Sequence, residues 1–210
     1  MIEQQRRGSR LILVRHGETE GESSIRYHGR TDVALSELGR AQMRLARRSI
    51  ETRHGVRNLA RVFSSPLIRA SEGARIVAGD AASLVTIDEF AEVHFGLFEG
   101  LTADEIRERY PAEFARWNAD RLAPTYTYPA GESRADFANR VERGLERMLT
   151  LWTPRDDDAL LGAHRGVIRA IVRKLTRQEP IVELGSIHIL RFDGIWRAEM
   201  LDLTDHLIES

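Results

Sequence analysis

The sequence predicts an α/β fold in which a mostly parallel central sheet lies between helices as a three-layer α/β/α sandwich. Short apolar segments suited to buried strands alternate with longer segments of helical periodicity, and this alternation favours a parallel sheet covered on both faces. The chain has 210 residues, of which 42% are hydrophobic and 30% charged. These values are typical of one globular domain, so we expect a single domain over 1–210, with residues 1–9 as a flexible N-terminal extension.

Four apolar runs predict the buried strands. They are Leu11–Val14, Arg61–Phe63, Leu84–Ile87 and Ala159–Ala163. Near the end of the chain, an alternating pattern surrounds Asp193-Gly194, a pair of residues typical of a tight hairpin between antiparallel strands.

Capping residues and apolar spacing predict the helices. Ser36 can cap one helix, and Ser65-Pro66 places a capping residue before a proline at the first helical position. Thr102 and Glu105 form a capping box. Two further helices follow from periodicity: one over residues 133–152, with one apolar stripe, and one over Val167–Leu175, which we expect to be buried on most sides.

Composition excludes several functional classes. A net charge of -1 provides no overall field to attract nucleic acid or an anionic membrane, so we expect neither partner. The absence of cysteine excludes disulfides, thiolate metal sites and cysteine nucleophiles. The first residues lack the apolar stretch of a signal peptide, and we expect a cytoplasmic protein. Whether the chain forms a homodimer stays open.

Polar side chains follow the predicted strands at the points where the strands end. In parallel sheets these carboxyl ends meet at one edge, where ligands bind. The side chains are Arg15 and His16 after the first strand, Arg69 one helical turn after the second, Asp88, Glu89 and Glu92 after the third, and His164 after the fourth.

This set favours a phosphoryl group over a metal ion. His16 and His164 with a carboxylate are potential zinc or iron ligands. Three arginines (Arg15, Arg69 and Arg165) would then lie beside a dication, which is unfavourable, so we predict neither a metal nor a cofactor. Arginine matches phosphate oxygens through paired hydrogen bonds, and a loop that leads into a helix offers backbone N–H groups to the same anion.

His16 is suited to attack phosphorus, because a neutral imidazole is a nucleophile and neighbouring cations disfavour its protonated form. Gly17 has no side chain, so the backbone there can approach the anion closely. The leaving oxygen also needs a proton donor, and a bound phosphate favours the protonated form of a nearby carboxyl. From the residues alone, the four candidates for this acid are Asp88, Glu89, Glu92 and Glu99.

With these residues placed, the chain resembles the histidine phosphatase superfamily, also called the phosphoglycerate-mutase-like family. The resemblance runs through most of the sequence in order: "LVRHGETE", "YHGRTDVALSELGRAQ", "SSPLIRASEGARI", "FAEVHFGLFEGLTADEI", "GES" and "GAHRGVIRA". It implies a phosphoglycerate-mutase-like fold.

The resemblance also implies roles for individual residues. His16 would be the nucleophile and would carry a phosphohistidine, while Arg15, Arg69 and His164 would complete the phosphate pocket. Glu92 would be the acid, since it precedes Phe95-Gly96 by the family's spacing. His28 and Gly29 fall where the family contacts the rest of the substrate. Gly17, Glu22 and Arg165 are further candidate substrate-binding residues from their place beside the motifs.

Two positions depart from the family pattern. Gly21 and Glu22 stand where the family often has tryptophan and asparagine, and we expect Glu22 to point away from the phosphate or to meet a cationic part of the substrate. Arg165 follows His164 where a glycine is usual. It either points outward or adds a cation at the rim of the pocket.

The short path from "FGLFEGLTADEI" to "PAGES" resembles the compact phosphatases, such as the α-ribazole phosphatase-like group. We therefore expect a metal-independent hydrolase of a small phosphorylated metabolite. Two alternatives remain: a phosphoglycerate-mutase-type phosphotransferase, and a non-catalytic module that binds a phosphorylated ligand.

Overall fold

The computed structural model describes residues 8–22, 24–56, 59–79, 83–154 and 157–208. The strands found there are β1 (Ser9–Arg15), β2 (Leu59–Ser64), β3 (Leu84–Thr86), β4 (Asp158–Ala163), β5 (Ile187–Phe192) and β6 (Trp196–Leu203). The helices are α1 (Glu37–Thr52), α2 (Ile68–Ala78), α3 (Ala103–Arg109), α4 (Pro111–Asp120), α5 (Arg134–Leu151) and α6 (Arg165–Thr176). In this part of the chain no helix is long and apolar enough to cross a membrane.

Within the described residues, one sheet contains the strands in the order β3-β2-β4-β1-β5-β6. Neighbouring strands from β3 to β1 pair in parallel. β5 is antiparallel to β1 and to β6, as the predicted hairpin requires. The mostly parallel sheet is therefore confirmed, and the carboxyl ends of β1, β2 and β4 meet at one edge.

Side chains alternate across the sheet and bury one helical layer on each face. Leu11 and Leu13 of β1 share a core with residues of α5 and α6. Ile12 and Val14 share the opposite core with residues of α1 and α2. A third cluster, centred on Phe98 and mostly aromatic, lies among α3, α4 and the loops beside them. The predicted three-layer sandwich is confirmed.

Two of the three predicted helix caps are confirmed. The Ser36 hydroxyl accepts from the Gly39 N–H, and Thr102 and Glu105 form the capping box. The cap predicted at Ser65 was wrong, because α2 begins only at Ile68 after the extended residue Leu67. The Ser65 hydroxyl does accept from the Leu67 N–H at 3.2 Å, but it also bonds to the distant His164.

Two further expectations need correction. Helix α6 is amphipathic and not buried on most sides: its exposed residues include Arg165, Arg169, Arg173 and Lys174, because a single face packs on the sheet. Of the expected N-terminal extension, residues 1–7 lie outside the described residues. Ser9 is buried in β1, where it pairs with Phe192, so the ordered strand begins earlier than predicted.

Candidate active site

His16 lies directly beyond β1 and is almost fully buried, with 5% of its surface exposed. Its Nδ1–H donates to the Gly17 carbonyl oxygen at 2.8 Å. Its Nε2 accepts a hydrogen bond from Arg69 Nε at 3.3 Å, so this nitrogen carries a lone pair and no proton. Burial, followed by the charges of Arg69 and Arg15, lowers the pKa of His16 well below its ordinary value. The ring is therefore neutral, with its lone pair on Nε2.

Arg69 projects from the first turn of α2 and is completely buried. Its guanidinium donates to three backbone carbonyl oxygens, those of His28, Gly29 and Thr31, at 2.7–2.8 Å. These carbonyls satisfy the buried cation and fix residues 28–31 against it. Burial is the main reason why the pKa of Arg69 is lowered from its ordinary value.

Arg15 is the last residue of β1 and provides a second cation. Its Nη1 donates to the Val182 carbonyl oxygen at 3.0 Å, while its buried Nε has no hydrogen-bond partner among the described atoms. Burial, and next the charge of Arg165, lowers the pKa of Arg15 to about 10. Arg15 is still protonated at neutral pH, and a donor on its guanidinium remains available to an anion.

His164 follows β4 as the residue that precedes α6, and it is completely buried. Its ring lies edge to face with that of His16, with centroids 5.2 Å apart. Its Nε2 shares a 2.7 Å hydrogen bond with Ser65 Oγ, whereas Nδ1 has no partner within the described part of the chain. Burial, and then Arg69, lowers the pKa of His164 well below its ordinary value, so this ring is also neutral.

Glu92 is the acidic residue that the fold brings to this cluster, and only 7% of it is exposed. Its Oε1 accepts from the backbone N–H of Val93 at 3.0 Å, and its Oε2 accepts from that of Gly166 at 2.9 Å. A Cβ on Gly166 would lie 2.4 Å from Glu92 Oε1, so a larger residue here would displace the Glu92 side chain. The carboxylate is thus tied to the helix that His164 precedes.

The three other candidate acids have different surroundings. Glu99 accepts hydrogen bonds from Gly29, Arg30, Thr31 and Phe95, and therefore organises the loop that Arg69 holds from the other side. Glu89 pairs with Arg147 at 3.3 Å, and Asp88 lies in a short 3₁₀ turn. Neither of these last two lines the cleft described next.

A cleft of about 640 Å³ opens over the cluster. Its lining includes Arg15, His16, Arg26, Tyr27, His28, Glu92, Phe95, Arg165 and Glu183. Arg69 and His164 do not line it but contact His16 from within the protein. In the described residues, no group of three or more His, Cys, Asp or Glu side chains is arranged to hold a metal ion.

The predicted substrate-binding residues fall into two groups. His28 and Arg165 line the cleft; His28 Nε2 bonds to the Gly21 carbonyl oxygen at 2.8 Å, and Arg165 is an exposed cation at the rim. Gly17, Glu22 and Gly29 do not line it. Glu22 is 67% exposed at its side chain and lies 3.9 Å from Arg26, which matches the expectation that it points away.

Packing explains the two glycines that do not line the cleft. A Cβ on Gly17 would lie 2.5 Å from the Gly39 carbonyl oxygen of α1. A Cβ on Gly29 would lie 2.1 Å from the Val93 carbonyl oxygen. Both residues permit a close approach of two backbones, and their position next to the motif residues does not by itself indicate contact with a ligand.

Sequence reasoning missed two residues that support the site, Ser65 and Gly166. Glu99, one of the four candidate acids, organises the loop at residues 29–31 through its carboxylate. Ser65 had a competing local interpretation as a helix cap. Gly166 had a local signal, since a glycine at the second position of a helix is unusual unless something lies close to it. The role of Glu99 depends on contacts with residues about 70 positions away and had no local signal.

A family model and several known proteins match this chain. A family model described as the histidine phosphatase superfamily (branch 1) matches residues 11–194. A bifunctional protein of Mycobacterium tuberculosis is 41% identical over 143 residues, which are 67% of this chain and 37% of that relative. The chain therefore spans little more than a third of that relative's length. An acid phosphatase of the same organism is 31% identical over 212 residues, with 95% of each chain covered.

Among solved structures, the alpha-ribazole phosphatase from Shigella flexneri superposes with a TM-score of 0.79. The two chains are 22% identical, and the match covers 92% of this chain and 96% of the other. At this identity the likeness concerns the fold alone, and it confirms the phosphoglycerate-mutase-like α/β architecture.

Proposed function

Because the chain belongs to the histidine phosphatase superfamily (branch 1), we propose that it is a metal-independent phosphomonoesterase that acts through a phosphohistidine on a small phosphorylated metabolite. One observation carries the proposal: His16 is neutral and keeps Nε2 unprotonated, because Nε2 accepts a hydrogen bond from Arg69 and the charges of Arg69 and Arg15 disfavour the protonated ring. Relatives named as phosphatases support the same activity.

In the first step, the phosphate dianion lies against Arg15 in the cleft, and the buried charge of Arg69 lies on the inner side of His16. His16 Nε2 gives up its hydrogen bond from Arg69 Nε and attacks phosphorus. The Nε2–P bond forms as the bond from phosphorus to the leaving oxygen breaks. The leaving oxygen takes a proton from Glu92 in its acid form. The imidazole then carries a positive charge, which the hydrogen bond from Nδ1–H to the Gly17 carbonyl oxygen stabilises.

In the second step, water attacks phosphorus and Glu92, now a carboxylate, accepts its proton. The Nε2–P bond breaks, inorganic phosphate leaves, and His16 returns to its neutral form. Each step uses the same two cations to offset the charge of the transferring group. No step requires a metal ion.

The volume and the lining of the cleft support a class of substrate. A volume of about 640 Å³ lies in the range of small-molecule sites. Its lining combines the apolar residues Ile25 and Leu184 with Arg165 and Glu183. We propose that the leaving group is a polar metabolite that meets both charges.

The test is release of inorganic phosphate from p-nitrophenyl phosphate in the presence of EDTA. His16→Ala should lower kcat by at least about a thousandfold, which corresponds to about 4 kcal/mol of barrier. The matched control is His54→Ala, which removes a histidine outside the cleft. Rapid acid-free quenching of the wild type should trap a base-stable, acid-labile phospho-adduct that His16→Ala lacks. Near-normal turnover of His16→Ala, or activity that EDTA abolishes, contradicts the proposal.

The same assay separates the alternatives. A binding module would release neither p-nitrophenol nor phosphate. A mutase supplied with a phosphorylated acceptor would release p-nitrophenol, but it would transfer the phosphoryl group to the acceptor and release little inorganic phosphate.

A further inference from the structure

The segment between α6 and β5 is hydrogen-bonded to the end of β1, where Arg15 and His16 lie. Arg15 N donates to the Ser186 carbonyl oxygen at 3.1 Å, and Gly185 N donates to the His16 carbonyl oxygen at 3.2 Å. The Arg15 side chain is held by the same segment through the Val182 carbonyl oxygen. The backbone of residues 182–186 therefore fixes both the main chain of the motif and the direction of its first cation.

This segment is in an unfavourable local conformation. Val182 is fully buried and has a φ of 61°, in the left-handed region that a β-branched side chain rarely adopts. Such a conformation costs free energy, and it persists only where contacts with the surrounding structure stabilise it. The Val182 carbonyl oxygen points at Arg15 only as long as something maintains this backbone.

The Asp202 side chain contacts this backbone directly. Its two carboxylate oxygens accept from the Ile181 N–H at 2.9 and 3.0 Å, and Oδ1 also accepts from the Val182 N–H at 2.9 Å. Asp202 itself has a φ of 57° and lies where the pairing of β5 with β6 changes register. This irregularity of the strand is of the kind that redirects a side chain next to a functional site.

Neither Asp202 nor Val182 lines the catalytic cleft. The contacts nevertheless form one continuous path, from the Asp202 carboxylate to the Val182 N–H, and from the Val182 carbonyl to the Arg15 guanidinium. We propose that Asp202 is a positioning residue, which holds Val182 in its left-handed conformation and thereby holds Arg15 against the phosphate. This inference rests on the proposed phosphatase function.

The test is a double-mutant cycle between Asp202 and Arg15. Asp202→Gly removes the acceptor while allowing the positive φ, so it should remove the contact without new strain. We expect kcat/KM for p-nitrophenyl phosphate to fall about tenfold, and the inhibition constant of inorganic phosphate to rise by a similar factor, because small misplacements of a binding group have effects of this size or larger. In an Arg15→Ala background, Asp202→Gly should cause no further loss.

Two controls separate positioning from general stability. Asp202→Asn keeps an oxygen acceptor and tolerates the same backbone conformation, so it should restore most of the activity. Glu199→Gly truncates a carboxylate on the same strand that pairs with Arg191 at 2.8 Å, and should leave kcat/KM unchanged even if it lowers the unfolding midpoint. If Asp202→Gly does not fold, Asp202→Ser, with its shorter single oxygen, takes its place in the cycle.

The proposal is overturned if the loss caused by Asp202→Gly is the same with and without Arg15, or if Asp202→Gly retains wild-type kcat/KM and phosphate inhibition. Both results would leave the phosphatase activity of the wild type intact. A wild-type protein that releases no phosphate would instead refute the proposed function.

Discussion

Acid should destabilise this protein partly through His188, a residue of β5 that is completely buried. Its Nδ1 accepts from the Asp202 N–H at 3.2 Å, and its Nε2 bonds to Ser186 Oγ at 3.0 Å. Since Nδ1 accepts, the proton is on Nε2 and the ring is neutral. Burial lowers the pKa of His188 to about 4, although the charge of Asp202 acts in the opposite direction.

The size of the effect follows from the two protonation states. Between the ordinary histidine pKa of 6.5 and the folded value of about 4, the unfolded chain binds a proton that the folded protein does not. Stability contributed by the neutral ring is therefore complete above pH 6.5 and is lost as the pH falls towards 4. The full loss is on the order of 3 kcal/mol, and about 2 kcal/mol of it occurs between about pH 7.5 and 5.

The assay is urea unfolding of the wild type and of His188→Gln at these two pH values, followed by tryptophan fluorescence. His16 and His164 titrate in the same direction but are present in both proteins, so the difference between the two isolates His188. The wild type should lose about 2 kcal/mol more than His188→Gln on acidification. An equal loss in both proteins would refute the assignment of a buried neutral imidazole.

Three other substitutions have distinct expected outcomes. Glu92→Gln should reduce kcat/KM, which reports the first step alone, strongly for alkyl phosphates and least for aryl phosphates, whose leaving oxygen needs little protonation; an equal loss of kcat/KM for both classes would exclude Glu92 as the acid. Glu22→Asn should change kcat/KM by less than about twofold, because this exposed side chain lies outside the cleft and forms only a weak surface pair; a collapse of kcat would place it in the chemistry. Gly17→Ala should lower the free energy of unfolding by about 1–3 kcal/mol, since its Cβ would meet the Gly39 carbonyl oxygen, and an unchanged urea midpoint would contradict that packing.

The candidate site residues were predictable because they follow the apolar strands, with His16 and His164 directly at strand ends and Arg69 in the first turn of the helix after β2. The sequence predicts all three at one edge of the sheet, and the structure joins them by a hydrogen bond and a ring contact. The resemblance then selected Glu92 from four acids, and among these Glu92 is the one that lines the cleft. Local pattern and family spacing were sufficient for these residues.

The supporting residues were not predictable in the same way. The contacts of Asp202 join β6 to residues about 20 positions earlier, and its role depends on a change of strand register that no composition or periodicity signals. Ser65 was misassigned because a serine before a proline is a good local cap, and its bond to His164 spans 99 residues. The exposed side of α6 was not predicted, because the apolar spacing alone indicates burial and the arginines between those residues indicate the exposed face.

The proposed mechanism requires a neutral His16. In it, Arg15 and Arg69 offset the two negative charges of a phosphate dianion, and Glu92 gives up and takes back one proton. A protonated His16 would lose its Nε2 lone pair and would repel Arg69, whose Nε donates to that atom. Burial prevents this outcome, since it disfavours the charged imidazole most strongly. The charges of the two arginines act in the same direction. Burial therefore removes the site from water and also keeps the proposed nucleophile in its unprotonated form at neutral pH.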